Sequence, residues 1–149
     1  MTNVDVQSPP DGDRSYGPYR HKLLFKDGFS PDKANQKVTT LAMIETRSAV
    51  QNLEEILSVD NLSGIFIGPN DLGLSLGYQP SSSPQGEVLK TVLSIGKRAR
   101  EKNKIAGIFC SDIETAKTMA KAGFNFVVYG SDLGFTLAGS LEALHKARM

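Results

Sequence analysis

From residue 38 onward, short apolar runs alternate with longer amphipathic ones. VTTLAMIE (38–45), GIFIG (64–68), IAGIFC (105–110) and FNFVVYG (124–130) are apolar and rich in β-branched or aromatic residues, which predicts four buried strands. Between them lie segments of helical period. In RSAVQNLEEILS the residues Ala49, Val50, Leu53, Ile56 and Leu57 fall on one stripe. DLGLSLG reads as a short helical turn. The polar loop YQPSSSPQG then leads to the strongest helix, where Val88, Leu89, Val92, Leu93 and Ala99 share a face and Lys97, Arg98, Arg100 and Glu101 point towards solvent. SDIETAKTMAKAG predicts a helix with Ser111 and Glu114 spaced as a capping box and Gly123 as its stop. Leu137, Leu141 and Leu144 stand at i, i+4 and i+7 of a last helix. Buried strands alternating with helices predict an α/β protein with a parallel sheet.

The first third has a different texture. Residues 1–15 are rich in Pro, Asp, Gly and Ser and are expected to be irregular or disordered, with residues 16–149 as the folded domain. Residues 16–37 are polar and broken by Gly17, Pro18, Gly28 and Pro31, and only 23–25 look buried. A weak echo joins two strand ends: GPNDLGLSLG after the second strand and GSDLGFTLAG after the fourth. It fits either common capping chemistry or a repeated βα unit.

Composition narrows the partners. The chain has 149 residues, 17 basic against 16 acidic side chains and a formal net charge of +1, so no long-range field would draw nucleic acid or an anionic membrane. No apolar stretch reaches the roughly 20 residues of a membrane span, and the N-terminus lacks the pattern of a secretory signal. The single cysteine, Cys110, offers neither an internal disulfide nor a CxxC pair. The expectation is a cytoplasmic protein whose partners are small molecules and other protein chains.

Four acids stand at the carboxyl ends of the predicted strands, where parallel α/β folds collect ligands: Glu45, Asp71, Asp112 and Asp132. A pair of them on one rim suits a hard cation such as Mg²⁺ or Mn²⁺, which needs only one or two protein carboxylates. Asp71, Asp112 and Asp132 equally suit helix caps or first-turn acids. Glu45 ends an apolar strand, where a charge must be exposed or paired, although it also fits a first-turn acid beside an N-capping Thr46. His145 suits the negative end of the last helix, His21 a solvated surface, and Cys110 a small buried filler. Arg14 has no assignable role. Amides near Gly130 and Ser131 fit an anion only weakly, with no glycine-rich motif beside them.

The segment MIETRSAVQNLEEILSVDNLSGIFIGPNDLGLSLGY (43–78) closely resembles the HpcH/HpaI aldolase signature, with its strand ending in Ile-Glu-Thr, its NLDEIL-like helix and its GVFIGPxDL strand and turn. SPPDGDRSYGPYR (8–20) resembles that family's Pro-Pro-x-Gly-x-Arg-x-x-Gly-Pro stretch, and residues 106–139 its closing strands. The resemblance covers nearly all of the chain from residue 8. It implies part of a (β/α)8 barrel, corresponding to about strands five to eight of the family's eight. It also implies a divalent cation, Mg²⁺ or Mn²⁺, held by Glu45 and Asp71, with a 2-oxo acid such as pyruvate as small-molecule partner. Gly68, Asn70 and Asp71 would bind the substrate carboxylate. The implied activity is retro-aldol cleavage of 4-hydroxy-2-oxo acids to pyruvate and an aldehyde, in which the cation stabilises the developing enolate charge.

The departures shape the functional expectation. A complete barrel takes ~250 residues. The family's active-site Arg and His belong to its first half, and nothing in this chain matches their motifs, so no catalytic residue is named here. Met43 stands where the aldolase branch often has a Gln, and the chain lacks the C-terminal extension that some members exchange between subunits. Three readings remain: an aldolase impaired by truncation, whose chains assemble into a homo-oligomer; an inactive paralogue or fragment retaining metal and 2-oxo-acid binding; and an acyl-CoA lyase like the citrate lyase β subunit.

Overall fold

The computed structural model describes residues 7–10, 12–14 and 30–149. The expectations for residues 23–25 and His21, and most of those for 1–15, lie outside the described residues. Two compact units emerge, one from residues up to Thr40 with Val59–Ser63, the other from Leu41–Ser58 with Gly64–Met149.

In the first unit, α1 spans Pro31–Lys37. The polar, Pro- and Gly-interrupted pattern of 16–37 predicts no helix here, yet its start carries three helix signals: Ser30 as N-cap, Pro31 in the first turn and Asp32 behind it. Asn35 on this helix accepts from the Ser8 amide (2.7 Å) and donates to the Ser8 carbonyl (2.8 Å), which satisfies a buried serine backbone. Thr40 and Ser63 pair through the Ser63 amide and Thr40 carbonyl (3.0 Å), and the Ser63 hydroxyl accepts from the Thr40 amide (3.0 Å).

The second unit is a four-stranded parallel sheet in the order β1-β2-β3-β4. The strands are β1 (Leu41–Ile44), β2 (Gly64–Ile67), β3 (Ile105–Cys110) and β4 (Phe126–Tyr129). The ladder of β1 begins at Leu41 rather than at Val38, and that of β4 at Phe126 rather than Phe124. The helices are α2 (Arg47–Gln51), α3 (Leu53–Leu57), α4 (Pro69–Leu76), α5 (Gly86–Glu101), α6 (Ile113–Lys121) and α7 (Asp132–Ala147). The single helix expected over 47–58 is distorted at Asn52 (φ −95°, ψ 16°), although i to i−4 bonds continue through it. The Asn52 side chain donates to the Ser48 hydroxyl at 3.4 Å.

Register sorts the side chains. Ile44, Ile67, Ile108 and Val127 form one row across the sheet, with Ala42, Ile65, Ala106 and Cys110 on the same face. Helices α5 and α6 cover this face, and Ile44, Ile65, Ile67 and Ile108 are fully buried. Each such isoleucine contributes about 1.5–3 kcal/mol. Helix α5 docks closely because residue 96 is Gly: a Cβ there would lie 2.5 Å from Phe124 Cζ.

Met43, Phe66, Gly107 and Phe126 form a row on the other face. Phe66 and Phe126 meet edge-to-face at 5.9 Å across Gly107, whose missing Cβ would strike Phe66 Cδ2 at 2.7 Å. Met43 is 51% exposed and Phe126 45%. Helix α7 is exposed along its whole length. It is joined to the end of β4 by Phe135, which packs edge-to-face on Tyr129 at 5.6 Å.

Candidate functional site

Glu45 follows β1 directly and extends the alternation of Leu41 and Met43 on the open face of the sheet. It is half-buried, and its carboxylate lies over the end of β2: a Cβ on Gly68 would stand 3.0 Å from Glu45 Oε2 and 3.5 Å from Met43 Cε. Only glycine leaves this approach clear. Glu45 is not a first-turn helix acid. Thr46 is the N-cap of α2, its hydroxyl accepting from the Ala49 amide at 3.1 Å, and Glu45 precedes it.

Asp71 stands in the first turn of α4, exposed, past the carboxyl end of the neighbouring strand β2. The N-cap of α4 is Gly68, which has no side chain to accept a helix amide, and Pro69 takes the first helical position. The amides that an Asp or Ser cap would satisfy are therefore left to another acceptor. Every other strand end carries its own cap: Thr46 for α2, Asp112 for α6 and Ser131 for α7. Among the described residues no hydrogen bond or ion pair engages the carboxylate of Glu45 or Asp71.

The other acids are structural. Asp112, rather than Ser111, caps α6: its Oδ1 accepts from the Thr115 amide (2.8 Å), and its Oδ2 accepts from the Thr115 hydroxyl (2.8 Å) and from the Ser83 hydroxyl. The Ser83 hydrogen bond, followed by the Thr115 amide, lowers its pKa from 3.8 to about 2. Asp132 is a first-turn acid behind the Ser131 cap, whose hydroxyl accepts from Gly134 N at 3.1 Å. The Gly130 amide already donates to the Cys110 carbonyl at 3.0 Å, so it is not offered to an anion there. The two echoing Asp-Leu-Gly elements start differently, Asp71 being the third helical residue and Asp132 the first.

Cys110 is buried on the helix-covered face, where burial, and then the charge of Asp112, raises its thiol to about 11. It is inert filler. His145 lies in the last turn of α7. The Arg14 amide donates to the Gln7 carbonyl at 2.9 Å, with no functional contact on the described residues.

Sequence reading missed the loop between α4 and α5. Asn70 Nδ2 donates to Ser82 Oγ (3.1 Å), and the adjacent Ser83 holds Asp112. Three successive serines between prolines were the available signal, but their partners are remote in sequence.

A metal would find hard oxygen donors here and no cage. Among the described residues no three His, Cys, Asp or Glu side chains come together. Two carboxylates past the ends of adjacent strands, unpaired among the described residues, fit Mg²⁺ or Mn²⁺, which complete their shells with water and substrate oxygens. They do not fit a structural zinc site. No helix among the described residues is long and apolar enough to cross a membrane.

Comparison with known proteins agrees with this architecture. The family model for HpcH/HpaI aldolase/citrate lyase matches residues 3–138. The hydroxypyruvate/pyruvate aldolase of Rhizorhabdus wittichii is 40% identical over 140 residues, which cover 93% of this chain and 55% of that protein. An HpcH/HpaI aldolase/citrate lyase family protein from Burkholderia cenocepacia superposes with a TM-score of 0.79 at 23% identity, over 97% of this chain and 58% of the other. Protein CitE from Mycobacterium tuberculosis, solved with magnesium and pyruvate, superposes with a TM-score of 0.51 at 24% identity, over 64% of this chain and 45% of that one. The chain thus spans about half the length of the relatives it matches. With the parallel sheet, the acid-bearing rim and a family match over most of its residues, the chain belongs to the HpcH/HpaI aldolase/citrate lyase family.

Proposed function

We propose that this chain carries the metal- and carboxylate-binding half of a metal-dependent aldolase site, on a sheet equivalent to strands five to eight of the family barrel. Glu45 and Asp71 hold Mg²⁺ or Mn²⁺, and Gly68, Asn70 and Asp71 hold the carboxylate of a 2-oxo acid such as pyruvate. The reaction served is retro-aldol cleavage of 4-hydroxy-2-oxo acids to pyruvate and an aldehyde. The single observation that carries this reading is the start of α4 at Gly68, without a side-chain cap, beside the Glu45 carboxylate, which is unpaired among the described residues. A helix start with free amides and a positive dipole end is a receptor for a carboxylate.

The residues divide the work by charge. Amides at Asn70 and Asp71 orient the substrate carboxylate, which fixes the 2-oxo group against the rim. Glu45 and Asp71 present anionic oxygens to the cation from just beyond the carboxyl ends of β1 and β2. The cation, when bound, supplies Lewis-acid stabilisation of the negative charge that cleavage leaves on the 2-oxo oxygen. The relatives named as aldolases, and the neighbour solved with magnesium and pyruvate, support the same chemistry.

Calorimetric titration of pyruvate tests the reading. Binding is expected with Mg²⁺ present and absent after chelation. Pyruvate affinity indifferent to Mg²⁺ would contradict it.

A further inference from the structure

The 78–85 loop uses each of its three serines differently. Ser81 folds the loop: its hydroxyl accepts from the Ser83 amide (3.2 Å) and donates to the Ser83 carbonyl (2.9 Å). Ser82 meets the side chain of Asn70. Ser83 donates to Asp112 Oδ2, and its hydroxyl oxygen lies 3.1 Å from that of Thr115. Asn70 belongs to the first turn after β2 and Asp112 to the cap after β3, so this short loop ties together the rims of two adjacent strands.

We propose that Ser82 and Ser83 are positioning residues for the substrate carboxylate: Ser83 anchors the loop on the Asp112–Thr115 cap, and Ser82 then fixes Asn70, whose amide and that of Asp71 receive the carboxylate. This rests on the reading of α4 given under Proposed function. The start of α4 has no side-chain cap of its own. Its first turn is held instead from outside, through the Asn70 side chain. A donor pair aimed at an anion is effective only when it is fixed before the ligand arrives. The anchor is durable: Asp112 stays ionised far below neutral pH, so it accepts from Ser83 throughout any working range. Metal ligation is separate from the latch, since no hydrogen bond joins the Glu45 or Asp71 side chain to the loop serines among the described residues.

The latch makes a split expectation. Ser82→Ala and Ser83→Ala are compared with the unmodified chain for Mn²⁺ affinity, by water-proton relaxation, and for pyruvate affinity of the Mn²⁺-loaded protein, by calorimetry. Ser83→Thr keeps the hydroxyl, and residue 83 lines an open cleft of about 250 Å³ with Pro69, Tyr78, Ser81 and Pro84. Both alanine variants are expected to bind Mn²⁺ as the parent does and pyruvate about tenfold more weakly, the scale of one lost hydrogen bond. Ser83→Thr is expected to restore pyruvate binding. Unchanged pyruvate affinity in both alanine variants would overturn the proposal. So would parallel losses of Mn²⁺ and pyruvate, which would make the loop a general support of the fold. A parent chain that binds no Mn²⁺ would instead overturn the underlying assignment of Glu45 and Asp71, and the latch with it.

Discussion

Gly68 lies beneath the carboxylate of Glu45, so close that a Cβ at position 68 would come within 3.0 Å of Glu45 Oε2. The absence of one side chain at the end of β2 thus decides where an anion at the end of β1 can rest. Gly68→Ala should leave the fold nearly intact, because the atom that must yield is the free end of a side chain. Displacing Glu45 should weaken Mn²⁺ binding about tenfold, the low end of what disturbing a ligand's support costs. Relaxation titration beside a thermal melt checks both halves. A large fall in melting temperature with unchanged metal affinity would contradict the expectation.

A second glycine works through packing. At Gly96 on α5 a Cβ would sit 2.5 Å from Phe124 Cζ and 2.7 Å from Cε2. Ala is the better helix former by about 1 kcal/mol, yet overpacking here costs roughly 1–3 kcal/mol. Gly96→Ala should therefore be destabilising in urea denaturation, and Phe124→Leu in the same chain should recover part of the loss. A stabilising Gly96→Ala would show that propensity outweighs the contact.

Asp112 gives the fold an acid-side dependence with a defined sign. Its pKa is lowered in the folded chain, from 3.8 to about 2, chiefly by the Ser83 hydroxyl. A lowered carboxyl stabilises the fold fully above its unfolded value and ceases to do so as pH falls through the folded one. Asp112→Asn keeps the helix cap and removes the charge. The difference in melting temperature between parent and variant should be constant above about pH 4 and close between about pH 4 and 2. A difference that does not change with pH would contradict the assigned cause.

Association is the expected fate of the apolar surface. Met43 and Phe126 stand exposed on the open face, and Leu133, Leu137, Leu141 and Leu144 are each more than half exposed on α7. Large apolar side chains exposed in such number mark an association surface more often than a monomer's solvent face. Light scattering during gel filtration should find the 149-residue chain as a dimer, a larger oligomer or an aggregate. A monodisperse, cooperatively melting monomer would contradict this.

The alternation of strands and helices was legible because each element has its own period, and the bounds of β3 were read to the residue. Which face each strand residue takes was not. Met43, Ile65, Ile67, Ile108, Phe126 and Val128 all look alike as core in the sequence. Register separates Ile65, Ile67 and Ile108, buried under helices, from Met43, Phe126 and Val128 on the open face. Continuous apolar strands hide this distinction, since no polar alternation marks the exposed side. At the rim, Glu45 stood out as a charge ending an apolar run. The cap role of Asp112 and the first-turn position of Asp132 were among the readings local spacing allowed, and geometry decided them. The Ser83–Asp112 contact joins residues 29 positions apart, so local pattern carried no trace of it.

The central claim is that Glu45 and Asp71 bind a divalent cation together. Mn²⁺ titration followed by water-proton relaxation measures this directly in the parent chain, Glu45→Gln and Asp71→Ala. Both carboxylates are exposed or half-buried and unpaired among the described residues, so neither substitution should cost much stability. The expected result is one Mn²⁺ site in the parent and at least about a 100-fold loss of affinity in each variant, as befits a direct ligand rather than its support. Equal affinity in the parent and in Asp71→Ala would contradict the account.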